Sequence, residues 1–267
     1  MKTLSRIYTV LILIFLYAPI AVMIIFSFNK GKSVWIFKGF STYWYQQVAQ
    51  NTNMISSLKN TLIIAVLSAV VATVLGTAAA VGIYYLRKKI SRNIVMSVTN
   101  IPMINADIVT GISLMLLFVF IGKFIGLSES LGFFTVLIAH ITFNLPYVIL
   151  SVMPKLTQTD SHLPEAALDL GCNPCQAFFK VVLPSISSGI FSGFIMAFTL
   201  SLDDFVISYF TCGHFQTFPI YIYSMTKKTV SPDVYALSSI IFAVIFVLLI
   251  MYNMIQNKSV KRSVKNV

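Results

Sequence analysis

Apolar residues run along this chain in long unbroken blocks separated by short polar stretches. Six blocks are long enough to cross a hydrocarbon core of roughly 30 Å at 1.5 Å per helical residue. They fall at about 7–28, 60–86, 94–121, 131–153, 184–210 and 234–256. Strands of a membrane barrel would alternate apolar and polar positions, so continuous runs predict helices. The expected fold is all-α: one integral membrane domain over 1–267 with six transmembrane helices. The third block is the most interrupted. Pro102, Asn105 and Asp107 lie inside it with Gly111 close behind, the pattern of a helix break lining a cavity.

Between the fourth and fifth blocks lies a polar island, Lys155 to Pro184, reading KLTQTDSHLPEAALDLGCNPCQAFFKVVLP. It holds two helix starts in quick succession. Pro164 suits a first helical position, and Glu165 favours the positive end of the macrodipole. Gly171 can close that short helix, about Leu163 to Leu170, in the left-handed conformation. Asn173 then caps a second helix with Pro174 at its first position, and Pro184 opens the next apolar block. A helix–Gly–helix elbow between spans is a shape that a partner can grip.

Composition supports the membrane assignment: 57% of residues are hydrophobic and 10% charged, against roughly a quarter charged in a soluble domain. Lysine and arginine set the orientation. With both termini on one side, that side holds twelve basic residues, including Arg87, Lys88, Lys89, Lys155 and Lys180, against seven on the other. The termini and the island are therefore expected in the cytoplasm. The net charge of +11 reflects topology and contact with anionic membrane lipid. It does not point to nucleic acid, because the basic residues sit at membrane edges and form no patch interleaved with aromatics. Lys2 and Arg6 before an apolar run imitate a signal peptide, but the run is too long and no A-x-A-like site follows it, so an uncleaved first span is expected.

Several motifs lead nowhere. Cys172-Asn-Pro-Cys175 has redox spacing without a βαβ context, and with Cys212 as the only other cysteine no metal site can be assembled. Gly31-Lys32-Ser33 echoes the end of a phosphate loop, but Phe26 stands where the first glycine is needed. The histidines, His140, His162 and His214, are scattered, and no nucleophile–base grouping can be built from them. Neither an enzyme site nor a resident cofactor is expected. If ATP drives this protein, another chain hydrolyses it.

Three of the eight acidic residues lie within apolar blocks: Asp107 and the adjacent Asp203 and Asp204. Ionisable groups in hydrocarbon cost several kcal/mol unless they face a cavity or a partner. Asp203 lies about nineteen residues beyond Pro184, roughly 28 Å along a helix, and Asp107 about 20 Å along its own, so both belong to the outer half. On a 100° wheel Ser185, Ser188, Gly189, Ser192, Met196 and Asp203 share one face, and Gly189-xxx-Gly193 runs along it. Small residues on one side let helices approach closely in a bilayer. Asp203 is thus expected along an interhelical seam, with Asp204 at its edge. Solvation at a helix end, or pairing with Lys227 or Lys228, is the plainer reading of these carboxylates; a pathway for a cation is the sharper one. Trp35, Tyr43, Trp44 and Tyr45 in the first external loop read first as an interfacial aromatic belt. Tyr43 and Trp44 also suit an external mouth that guides a cation by ring-face contact.

The segment Glu165–Pro184, EAALDLGCNPCQAFFKVVLP, resembles the EAA signature of ABC-importer permeases, with Glu165, Ala166, Ala167, Gly171, Val182, Leu183 and Pro184 in matching spacing. ITFNLPYVILSV, FTLSLDDFVISYF and IYSMTKKTVSPDVYALS extend the resemblance over nearly the whole chain, toward the spermidine/putrescine-type subfamily. The resemblance implies a type I ABC importer of the bacterial inner membrane. In it a homologous second permease completes the pathway, a cytoplasmic ABC ATPase dimer drives it, and an extracytoplasmic substrate-binding protein delivers the solute. It implies a coupling helix in the loop 155–183, contacting the ATPase through Glu165, Ala166 and Ala167. Gly171 permits the turn, and Leu183 and Pro184 lead into the fifth span. It also places Asp107, Asp203 and Asp204 where acidic pathway positions are expected. Other cargoes (an opine, an aminophosphonate, a metal ion) remain open, and intramembrane carboxylates favour a cation among them. A stand-alone secondary transporter or channel would show inverted repeats or paired broken helices. A membrane scaffold would leave the buried carboxylates unexplained.

Overall fold

The structure, a computed structural model, describes residues 2–31, 36–86, 88–126, 130–160, 162–227, 232–243 and 246. It is helical throughout, with no strand among the described residues. The helices are α1 (Lys2–Ser27), α2 (Tyr43–Gln50), α3 (Thr52–Tyr84), α4 (Lys89–Ile104), α5 (Asp107–Ile125), α6 (Phe133–Gln158) and α7 (Leu163–Asp169). There follow α8 (Pro174–Ala177), a π-helical turn (Phe178–Val182), α9 (Leu183–Ser185), α10 (Ser187–Asp203), α11 (Val206–Thr211) and α12 (Phe218–Thr226). An apolar helix, α13, covers Pro232–Ala243.

Of the six expected spans, the described residues hold four or five. Among the described residues four helices are long and apolar enough to cross a membrane, α1 from Arg6, α3, α5 and α6; the bent pair Pro174–Ser185 and Ser187–Asp203 makes a fifth if taken as one span. The sixth block, 234–256, runs mostly outside the described residues. The third block is not one helix. Asn105 and Ala106 are extended, with ψ 146° and 133°, and part α4 from α5. Two consecutive extended residues cannot continue an i→i−4 ladder, so the apolar run there hides a backbone break.

The chain divides into two compact units, Ser56–Tyr221 and Met1–Ile55 with Ile222–Val267. In the first, α6 is the central post. Along one face it buries Val136, His140, Asn144, Val148 and Val152, every fourth residue. Against it α10 buries Gly189, Gly193, Ala197 and Ser201, again every fourth. Hydrophobic burial does not drive helices together inside lipid, so close van der Waals approach must do so, and glycine permits it. A methyl group on Gly189 would meet Lys155 Cγ at 2.8 Å and the Ser151 carbonyl at 3.0 Å. One on Gly193 would meet Val148 Cγ1 at 3.2 Å. From the other side Gly76 of α3 admits the same valine, with Cγ1 2.7 Å from where a methyl would stand. Val148 is a knob between two glycines.

This seam corrects the wheel. Gly189 and Gly193 lie on it as expected, but Met196 is 47% exposed and Asp203 is exposed as well. Ridges of every fourth residue are inclined to the helix axis, and a contact following them drifts about 40° per step away from a fixed wheel angle. Over three turns the seam passes to Ser201 and leaves Asp203 off it.

In the second unit Asn29 organises the first loop. Its Nδ2 donates to the Ile36 carbonyl at 2.9 Å, and its Oδ1 accepts the Lys38 N–H at 2.8 Å and the Gly31 N–H at 3.2 Å. The Trp44 indole N–H donates to the Asn29 carbonyl at 2.8 Å. Asp233, near the start of α13, is buried and accepts from Asn51 Nδ2 at 3.2 Å.

Candidate functional site

The elbow forms as its sequence prescribes. α7 carries Pro164 and Glu165 in its first turn. Gly171 ends it at φ +88°. The Cys172 N–H reaches back to the Ala167 carbonyl at 3.0 Å and the Gly171 N–H to Leu168 at 2.9 Å. These are the two bonds of a Schellman motif, which needs a left-handed residue and hence glycine. The Asn173 side chain accepts the Gln176 N–H at 2.8 Å, and Gln176 Oε1 accepts the Asn173 N–H at 3.1 Å. This reciprocal capping box opens α8.

Beyond α8 the chain is one π-helical turn, then α9 carrying Leu183 and Pro184, then a 67° bend into α10. Ile186 stands at the bend with φ −97°, ψ 5°, and its side chain is fully buried in the core with Val148, Val152 and Val182. The bend is anchored while the elbow beside it is exposed. Glu165 and Ala166 face outward; Ala167 is buried. Leu170 is 86% exposed and Phe179 64%, an apolar rim around the short helix. Glu165 Oε2 lies 3.1 Å from His162 Nδ1, and the His162 N–H donates to Asp160 Oδ1 at 3.0 Å. The hydrogen bond and charge of Glu165, with that of Asp160, hold the His162 imidazole above its usual range.

Within the spans the three carboxylates meet different fates. Asp107 is exposed at the first position of α5, where its charge suits the helix N-terminus. One turn on, Gly111 packs against Val206, Ile207 and Phe210 of α11, so Asp107 shares an end of the unit with the α10–α11 break. Asp203 ends α10 and is exposed. Asp204 is extended, with φ −62° and ψ 118°, and turns inward. Its Oδ1 accepts the Ile207 N–H at 3.2 Å and its Oδ2 the Ser208 N–H at 2.8 Å, satisfying two donors at the start of α11.

The partner of Asp204 is a histidine and not a lysine. His140 of α6, 2% exposed, brings Nε2 to 3.2 Å from Asp204 Oδ2 and 2.9 Å from Ser208 Oγ. Its Nδ1 lies 2.6 Å from Ser201 Oγ, which is 3.0 Å from Ser68 Oγ on α3. Three helices, α6, α10 and α11, meet at this imidazole, and α3 joins them through Ser201. Sequence reasoning passed over His140 because it looked for a catalytic grouping. The usable signal was its place inside an apolar block, the same argument that singled out the carboxylates. A Ser–His–Asp set buried this deeply offers no approach to a substrate carbonyl, so it is not a hydrolytic centre. Asn144, one turn along α6, is fully buried, and among the described residues neither of its side-chain polar atoms has a partner.

The first loop divides the two aromatic candidates. Trp44 is 7% exposed and its N–H is taken by Asn29, so its ring belongs to the loop's own packing and offers no open face. Tyr43 beside it is 51% exposed. Trp35 and Lys228 lie outside the described residues. Lys227 places its ammonium 4.7 Å from the Tyr223 ring centre. Among the described residues no group of three or more potential ligands could hold a metal ion.

Spans packed on glycine, a polar break inside the bundle and a capped helical elbow between two spans define an all-α, multi-pass membrane protein of the solute-transport type. Residues 72–264 match the family described as binding-protein-dependent transport system inner membrane component. The chain belongs to that family: it is a multi-pass, inner-membrane permease subunit. It is 38% identical over 232 residues to the putrescine transport system permease protein PotI of Escherichia coli K12, across 86% of this chain and 83% of that protein. It is 35% identical over 246 residues to the spermidine/putrescine transport system permease protein PotC of Haemophilus influenzae, across 92% and 93%. Two solved structures share the fold. One is a bacterial ABC transporter involved in the import of the acidic polysaccharide alginate, at TM-score 0.67 and 16% identity, covering 96% of each chain. The other is the bacterial alginate ABC transporter in complex with an alginate pentasaccharide-bound periplasmic protein, at TM-score 0.70 and 17% identity, covering 94% of this chain and 91% of that one.

Proposed function

We propose that this chain is one of two permeases of an ATP-driven polyamine importer. The observation that carries the cargo is the likeness to putrescine and spermidine/putrescine permeases at 35–38% identity over most of the chain. The fold alone would not select it, since a fold neighbour serves an acidic polysaccharide. Asp107 and Asp203, exposed at one end of the Ser56–Tyr221 unit, suit a cation with separated ammonium groups. Tyr43, exposed in the first loop, separately offers an aromatic ring face of the kind that attracts a cation. A second, homologous permease supplies the other half of the pathway, and an extracytoplasmic binding protein delivers the polyamine.

The elbow and both termini face the cytoplasm in this reading. α7 docks on an ABC ATPase, with Glu165 and Ala166 at the contact and the apolar rim of Leu170 and Phe179 around them. ATPase closure displaces α7, and the buried Ile186 converts that displacement into a tilt of α10. The chain itself hydrolyses nothing.

The test is the reconstituted complex with its binding protein. Spermidine or putrescine should raise its ATPase rate; stimulation by another solute, with neither polyamine active, would overturn the cargo. Asp203→Asn should lower uptake per assembled complex, and wild-type uptake would remove Asp203 from the pathway.

A further inference from the structure

We propose that His140 is a positioning residue for transport: it fixes the break between α10 and α11, and thereby decides which of the adjacent carboxylates is presented. This rests on the reading of Asp203 as a pathway residue. The imidazole touches both sides of the break. Ser201, three residues before Asp204, meets Nδ1; Ser208, four residues after it, meets Nε2. Asp204 itself meets Nε2. Helical geometry ends at Asp203 and the next residue is extended, so the two carboxylates diverge, one outward and one toward α6. Asp204 has backbone donors from Ile207 and Ser208 and the histidine on its oxygens, which leaves Asp203 as the exposed member of the pair.

The carboxylate also sets the tautomer. An ionised carboxylate can only accept, so the ring hydrogen facing Asp204 belongs on Nε2. A buried carboxylate deprived of that donor would lose a charge-assisted bond, and the start of α11 would loosen with it.

Two substitutions separate the two ring nitrogens. The amide of a glutamine reaches the position of Nε2, whereas that of an asparagine reaches only Nδ1. In the reconstituted complex, His140→Gln should keep spermidine turnover per assembled complex within about threefold of wild type. His140→Asn should lower turnover at least tenfold, with the half-saturating concentration of liganded binding protein unchanged. Hydrogen exchange at the Ile207 and Ser208 amides should rise about tenfold in His140→Asn and stay near wild type in His140→Gln. Equal turnover and exchange in the two variants would overturn the proposal, as would unchanged exchange in His140→Asn. The Asp203 reading fails separately: wild-type turnover in Asp203→Asn would sink it whatever the exchange data show.

Discussion

Replacing Gly76 by alanine should destabilise this protein through one side chain, Val148. The new methyl would stand 2.7 Å from Val148 Cγ1 and 2.8 Å from its Cβ, whereas carbon pairs settle at about 3.5–4.0 Å. Roughly 0.8 Å must therefore be found. Rotation cannot supply it, because a β-branched side chain in a helix has one strongly preferred rotamer. Retreat is limited as well: Val148 is fully buried and packs against the Gly193 stretch of α10. The helices must part, at the typical overpacking cost of about 1–3 kcal/mol. Val148→Ala alone should cost about 1–2 kcal/mol through lost packing. Combined, the substitutions exchange volume between facing positions, so the double variant should be more stable than the two costs added, by at least about 1 kcal/mol. Denaturant unfolding of the purified protein in one detergent measures all three. An unchanged midpoint in Gly76→Ala, or additivity in the double variant, would refute the knob between glycines.

Gly171→Ala places a Cβ at φ +88°, a strain of roughly 1–2 kcal/mol; binding of the ATPase subunit should weaken while membrane insertion stays normal, and unaltered binding would count against the turn. Asn173→Ala removes the cap on α8 at about 1 kcal/mol, visible as faster hydrogen exchange at the Gln176 amide. Glu165→Lys should uncouple ATP hydrolysis from uptake or release the ATPase; full uptake with normal assembly would remove Glu165 from the contact. His162 holds its proton more tightly when folded, so its pairing with Glu165 is present below the unfolded value and lost as pH rises through the raised one. ATPase binding in nanodiscs should therefore strengthen with pH across that window and flatten in His162→Ala; an unchanged profile in the variant would refute the link.

The legible parts share a physical trait: they are local. The Leu163–Asp169 helix, its Gly171 stop and the Asn173 cap depend on residues within a few positions of one another. Long apolar runs likewise report spans without reference to neighbours. The interrupted third block was half legible. Pro102, Asn105 and Asp107 marked trouble, but the backbone breaks at Asn105–Ala106, and Pro102 lies inside α4. Trp44 misled because an indole in an external loop reads as exposed until its partner, Asn29, is found fifteen residues earlier.

By itself, then, the sequence determined a helical membrane permease with a capped elbow between two spans, because hydrophobic length and capping chemistry are short-range. Tertiary structure alone decided the fate of the carboxylates. Asp203 and Asp204 are identical side chains on adjacent residues, and no local rule separates them. A histidine 64 positions away does, because α6 and α10 approach closely enough over Gly189 and Gly193 to bring His140 onto the break between Asp203 and Val206.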